Sequence, residues 1–291
     1  MRTKTKKWEL GPLSLTLGLH PWDSWLGFGF AAALAVGCLV LGYSMAVGLA
    51  LAFGFCLAAV IKLDWKGRPG RWMLNALWMV AVLVSLCIIA PAMVNRFTFF
   101  EIGIKKPLMN VLFCAIVCAT ALVILGKWRW AVTLGGFVLL VLAVVNGYVF
   151  IFRERELTLL DIYTTTTAMK VAGQYDHTPS PEILFGVGGG ILALYWQVCL
   201  PDAPKSKGLW VRLGSLAFVA AATALLYFST LDMLPLRWNN DGSAQNGTYL
   251  NVYLGIRESR IKAPKGYSGK LWKRWQGSTP KPPAQRGPIS L

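Results

Sequence analysis

The feature that most limits this chain is a succession of long apolar runs between residues 25 and 230, separated only by short loops rich in Lys and Arg. A hydrocarbon layer about 30 Å thick is crossed by about 20 apolar residues in α-helix. Lipid offers the backbone no hydrogen-bonding partner, so a crossing segment of this kind has to satisfy its own N–H and C=O groups as a helix. The pattern therefore predicts an all-α polytopic transmembrane helical bundle.

Composition supports the same class. The 291 residues are 55% hydrophobic and 14% charged, against about 25% charged in soluble domains. The formal net charge of +16 lies almost wholly outside the apolar runs. It reads as topology signal and contact with lipid headgroups. Recognition of nucleic acid would need a basic soluble domain, and the chain has no stretch long enough for one.

The first apolar run, 25–63, is too long for one crossing and fits a hairpin with its turn at Gly42-Tyr43-Ser44. The runs 72–94, 107–126, 131–152, 183–200 and 209–230 follow, so about seven spans are expected, or six if the first run is one tilted segment. Orientation follows Lys and Arg near the span ends. With the N-terminus inside, the inner segments hold 13 of these cations and the short outer loops hold 6. The expectation is N-in and C-out in a cell membrane: a basic cytoplasmic arm at 1–24, a membrane domain at 25–230 with an outer loop at 153–182, and an extracellular basic tail at 231–291. The tail carries ten Lys and Arg against three acids, but most lie beyond the zone that sets topology. The N-terminal apolar stretch is too long for a cleavable signal peptide.

Few residues suggest chemistry. All six cysteines fall within apolar runs. Cys114 and Cys118 lie one helical turn apart with no His, Asp or Glu beside them, so they read as packing residues. His20 and His177 have no second ligand at metal spacing. No metal site, no catalytic residue and no cofactor is expected. Gly186-Val187-Gly188-Gly189-Gly190 lacks the preceding strand and following Lys of a phosphate loop, and reads as close helix packing. Trp22, Trp25, Trp65, Trp72, Trp128, Trp130 and Trp210 sit at span edges, as an interfacial belt does. Asn246-Gly247-Thr248 matches a glycosylation acceptor, a match too short to carry weight.

The stretch from Arg153 to Tyr175 is more informative. Leu160, Tyr163, Thr167 and Lys170 follow helical spacing, consistent with an amphipathic segment on the membrane surface. Arg153, Arg155 and Lys170 are candidates to meet a lipid phosphate, and Asp161 a glycerol hydroxyl. The plainer reading is that Arg153 and Arg155 anchor a helix end while Glu154, Glu156 and Asp161 face water.

Leu159-Leu160-Asp161 after an arginine-bearing span end, with Ala168, Val171, Ala172 and Tyr175, resembles the outer loop of the lipoteichoic acid synthase family. These are phosphoglycerol transferases of the alkaline phosphatase/sulfatase superfamily. Asn246-Gly247-Thr248-Tyr249 and Lys262-Ala263-Pro264-Lys265-Gly266-Tyr267-Ser268 are similar to the segment that follows that family's last span. The resemblance covers roughly residues 72–276, and the first hairpin looks like an addition to it. It implies anionic membrane lipid, phosphatidylglycerol, as the partner. The family's extracellular sulfatase-like domain, with its divalent metal and threonine nucleophile, has no counterpart in the residues after Ser268, so the chain reads as a truncated product without transfer chemistry. A small transporter or lipid flippase is the alternative. It is disfavoured because no Asp or Glu lies deep in a span, where Asn75, Asn110 and Asn146 are the most polar candidates. A scaffold for a separate enzyme is the third reading.

Overall fold

The computed structural model describes residues 6–11, 13–18, 21–94, 102–153, 157, 178–200, 208–233 and 245–258. It is mostly helical, a polytopic bundle as the apolar runs predict. The long helices are α1 (Pro21–Leu41), α3 (Arg68–Ala92), α4 (Lys105–Leu125), α5 (Trp128–Arg153), α6 (Pro181–Cys199) and α7 (Gly208–Ser229). Among the described residues, six helices are long and apolar enough to cross a membrane. Between the first two of these lies α2 (Met45–Val60), whose 16 residues reach about 24 Å. Each of the seven expected apolar segments is thus a helix among the described residues, six of them long enough to cross and α2 a shorter returning arm.

The first apolar run is a hairpin, turning at Gly42 with φ +67°. Its arms pack in strict antiparallel register, because small residues let them approach. A Cβ on Gly48 would lie 3.2 Å from Cys38 Cβ, and one on Gly27 would lie 2.8 Å from Ala59 Cβ. Ser24 adds a 2.6 Å bond from its hydroxyl to Ala59 O.

Three strands depart from the all-helical expectation. β1 (Lys6–Leu10) and β2 (Leu13–Leu17) form a hairpin, and β3 (Ile61–Trp65) pairs antiparallel with β2. The arm read as 1–24 thus carries two strands, and α1 begins within it. The physical reason is local: Leu13, Leu15 and Leu17 alternate with Ser14 and Thr16, a period of two that makes one face of a strand apolar. Gly11, at φ +64°, supplies the turn. Glu9 accepts from Lys66 at 2.7 Å and lies 3.2 Å from Lys7. These two ammonium groups, Lys66 first, hold the Glu9 carboxyl below its usual value of 4.5. Arg71 clasps Asp64 through two 2.9 Å bonds and ties the sheet to the start of α3.

The core is built from α3, α4, α5 and α6 around Leu83, Leu86, Leu139, Leu140 and Ile183. The glycine run on α6 serves close packing, as its composition suggests. Cβ atoms on Gly186, Gly188 and Gly190 would press into Met93, Leu34 and Leu140 respectively. Ser180 caps α6, accepting from Ile183 N, with Pro181 at its first position. Gly126, at φ +65°, closes α4 in the left-handed conformation and lets α5 turn straight back along it.

Candidate functional site

The segment expected to be an extracellular tail contains a helix seated in the bundle. Helix α8 (Thr248–Glu258) enters the bundle against α4 and α3. Tyr249, Leu250 and Leu254 are completely buried. Residues 245–258 are therefore part of the bundle. The helix is too short and too polar in average to read as a span, but one apolar face is enough to bury it.

A single side chain sets its position. Asn110, one turn into α4 and 1% exposed, donates from Nδ2 to Asn246 O at 2.7 Å and accepts at Oδ1 from Leu250 N at 2.9 Å. It thereby satisfies one of the N–H groups that a helix start leaves without an internal partner. Gly247 sits between those two contacts at φ +79°. The Asn246-Gly247-Thr248 triplet is thus a buried helix entry, with Asn246 at 5% exposure, and no glycosylation acceptor surface. Further along, Tyr249 donates to Leu139 O at 3.1 Å. Arg257 donates to Thr230 O and Met233 O, fastening the far end of α8 to the end of α7.

Asn146 belongs to the same level of the bundle. Gly135 on α5 lies against Cys118 on α4, where an added Cβ would come within 2.8 Å of Cys118 Cα. The antiparallel register of the two helices then carries Ala143 level with Asn110, and Asn146 one turn further toward the same end. Leu139, Ala143 and Asn146 share one buried face of α5. Asn146 Oδ1 accepts from Leu157 N at 2.9 Å, drawing the chain beyond α5 back into the bundle. Its Nδ2 is buried and meets no hydrogen-bond partner among the described residues. Asn110, Asn146, Asn246, Thr248 and Asn251 thus make a buried, uncharged polar level near one end of the bundle. Cations stand around it. Lys105 lies 3.7 Å from Asp232, Lys106 donates to Gln245 O, and Arg153 is exposed at the end of α5.

Of the residues singled out from sequence for lipid, Arg153 is at this end of the bundle, while Arg155, Asp161 and Lys170 lie outside the described residues. So do the four threonines at 164–167, His20, His177 and the segment 262–268. Among the described residues no group of His, Cys, Asp and Glu could hold a metal ion. Cys87 and Cys114 approach to 3.6 Å between sulfurs, buried beneath Tyr249 in the core. Sequence reasoning missed α8 altogether. The signal that could have found it is the pair Leu250 and Leu254, one turn apart after a Gly247-Thr248 entry.

The tryptophans divide. Trp25 is 74% exposed and Trp210 68% exposed, as an interfacial belt requires. Trp72 and Trp128 instead meet edge to face at 5.7 Å, and Trp78 pairs with Trp196 at 5.4 Å.

Comparison with protein-family models, with curated proteins and with solved structures finds no match.

Proposed function

We propose that this chain is a lipid-engaging membrane domain of the kind found in lipoteichoic acid synthases, working in bacterial cell-envelope polymer synthesis. On this reading, the bundle end that holds α8 receives the head of an anionic phospholipid, phosphatidylglycerol. The observation that carries it is the Asn146 amide. Its oxygen is already bound to Leu157 N, while its buried NH₂ meets no acceptor among the described residues. A buried donor without a partner costs about 1–3 kcal/mol, and a glycerol hydroxyl or phosphate oxygen would satisfy it. Lys105, Lys106 and Arg153 supply positive charge at the same end. The residues Arg155, Asp161 and Lys170 extend the reading along the sequence after Arg153, and the resemblance of this stretch to the outer loop of that family supports it. The cation balance of 13 against 6 supports placing this end outside a cell membrane.

The test is titration of the purified chain with glycerol 1-phosphate, followed by thermal shift. Asn146→Asp keeps the acceptor for Leu157 N and removes the donor. It should weaken binding by about tenfold, the worth of one hydrogen bond to a charged group. Equal affinity in the variant, or no binding by the native chain, would refute the reading.

A further inference from the structure

A second feature lies toward the other end of the bundle. A cavity of about 340 Å³ opens between α3, α4, α5 and α7, at the low end of the range for small-molecule sites. Trp72, Trp128 and Trp210 frame it, and Ala119, Gly214 and Phe218 line its walls. Helix α7 rests chiefly on α4, which leaves the slot between α7 and the α3–α5 pair. The hydroxyl of Ser215 is already spent on Val211 O at 2.7 Å. What the walls offer is hydrocarbon and aromatic surface, so water gains little by entering.

Two further observations name the occupant. The first is Trp128, whose ring lines the cavity and whose indole N–H is buried with no partner among the described residues. Such a donor lacks only an oxygen acceptor. The second is charge. Next to the cavity residues Trp210 and Val211, Arg212 holds its guanidinium over Gly126, where an added Cβ would lie 3.1 Å from Nε. Lys127 adjoins it in the turn, exposed.

We infer that this cavity takes one acyl chain of an anionic glycerophospholipid from the leaflet at the sheet end. Trp128 donates to an ester or phosphate oxygen, and Arg212 and Lys127 face the headgroup charge. The aromatic frame suits the boundary between hydrocarbon and headgroup, and the basic flank selects anionic over zwitterionic lipid. The site is separate from the one proposed above: it needs a hydrocarbon chain, whereas glycerol 1-phosphate has none.

The experiment uses the full chain in detergent with phosphatidylglycerol bearing a photoactivatable diazirine on one acyl chain, and phosphatidylcholine with the same tail. Labelling should fall on residues 115–122 and 214–218, and should be stronger for phosphatidylglycerol. Gly214→Phe fills the cavity from a position where an added Cβ meets nothing within 4 Å. It should reduce labelling by about tenfold, the effect of excluding a few methylene groups. Arg212→Gln should erase the preference for the anionic lipid. Labels confined to other segments, equal labelling by the two lipids, or undiminished labelling of Gly214→Phe would each overturn the assignment. Should Gly214→Phe fail to fold, the label map and lipid preference of the native chain still decide.

Discussion

Asn110 and Gly247 fit only each other. The asparagine amide lies so close to Gly247 that a Cβ there would fall 2.8 Å from Asn110 Cγ, and Gly247 already holds a φ of +79°. Across 137 positions of sequence, a polar side chain inside a span and a residue without one define where α8 enters the bundle. The restriction is doubled at Gly247, since both the space and the left-handed backbone exclude other side chains. Together they convert an 11-residue helix, which would be marginal alone, into part of the core.

Replacement of Asn110 by Leu should therefore release α8. Asn246 O and Leu250 N each lose a buried partner, at a cost of roughly 2–4 kcal/mol together. The melting temperature in detergent should drop, and proteolysis should begin within residues 245–258. Thr120→Val, an exposed change on the same helix, should alter stability by less than about 0.5 kcal/mol. Equal melting of the Asn110 variant and the native chain would contradict the docking role.

Glycines within the helices should divide by what faces them. Gly135→Val forces a branched side chain onto the Cys118 backbone, which cannot give way as a side-chain tip can. A loss of about 2 kcal/mol or more is expected. An added Cβ on Gly37 meets nothing within 4 Å, so Gly37→Ala should stabilise α1 by about 0.5–1 kcal/mol. Thermal unfolding of the pair measures both signs, and a reversal of either would contradict the packing described.

Gln197 gives a prediction in the stabilising direction. It is fully buried, and neither atom of its amide has a hydrogen-bond partner among the described residues. Gly136 lies against Leu194 and Gly190 against Leu140, a register that brings Gln197 level with Val132 and Thr133. Gln197→Leu should raise stability by about 1–2 kcal/mol, because it removes two unsatisfied groups and keeps the volume. A lower melting temperature would show that the amide is held by something the geometry does not reveal.

The N-terminal sheet should loosen in acid. The folded-state carboxyl of Glu9 titrates below its usual 4.5 because Lys66 and Lys7 bond it. Its contribution is therefore present above that value and is lost as pH falls through the depressed folded value. The group is at the surface, so the effect should be small and should shrink in high salt. Hydrogen exchange of the β1 amides at pH 6 and pH 3 measures it. Glu9→Gln should abolish the difference, and an unchanged difference would assign the acid effect to other groups.

Much of the helical frame could be read directly. The apolar runs, the hairpin turn at Gly42 and the packing role of the glycines from Gly186 to Gly190 depend on spacing within a run, and spacing survives without neighbours. The sheet was overlooked for a different reason. β2 alternates correctly, but it sits in a basic segment and its partner β3 follows α2, about 45 residues away, so pairing gives no local mark. α8 was overlooked because its buried face spans only three turns, shorter than a span signal requires.

What the amino-acid sequence determined unaided is the class and the placing of the apolar helices, because the cost of burying an unpaired backbone in hydrocarbon applies to every long apolar run regardless of its neighbours. The tertiary structure alone decided which polar side chains matter. Asn110 and Asn146 look alike in a span; one is consumed by the start of α8, while the other keeps an NH₂ with no partner among the described residues. That difference arises from helices brought together across more than a hundred residues, and hydrogen bonds act only over the last few ångströms of that approach.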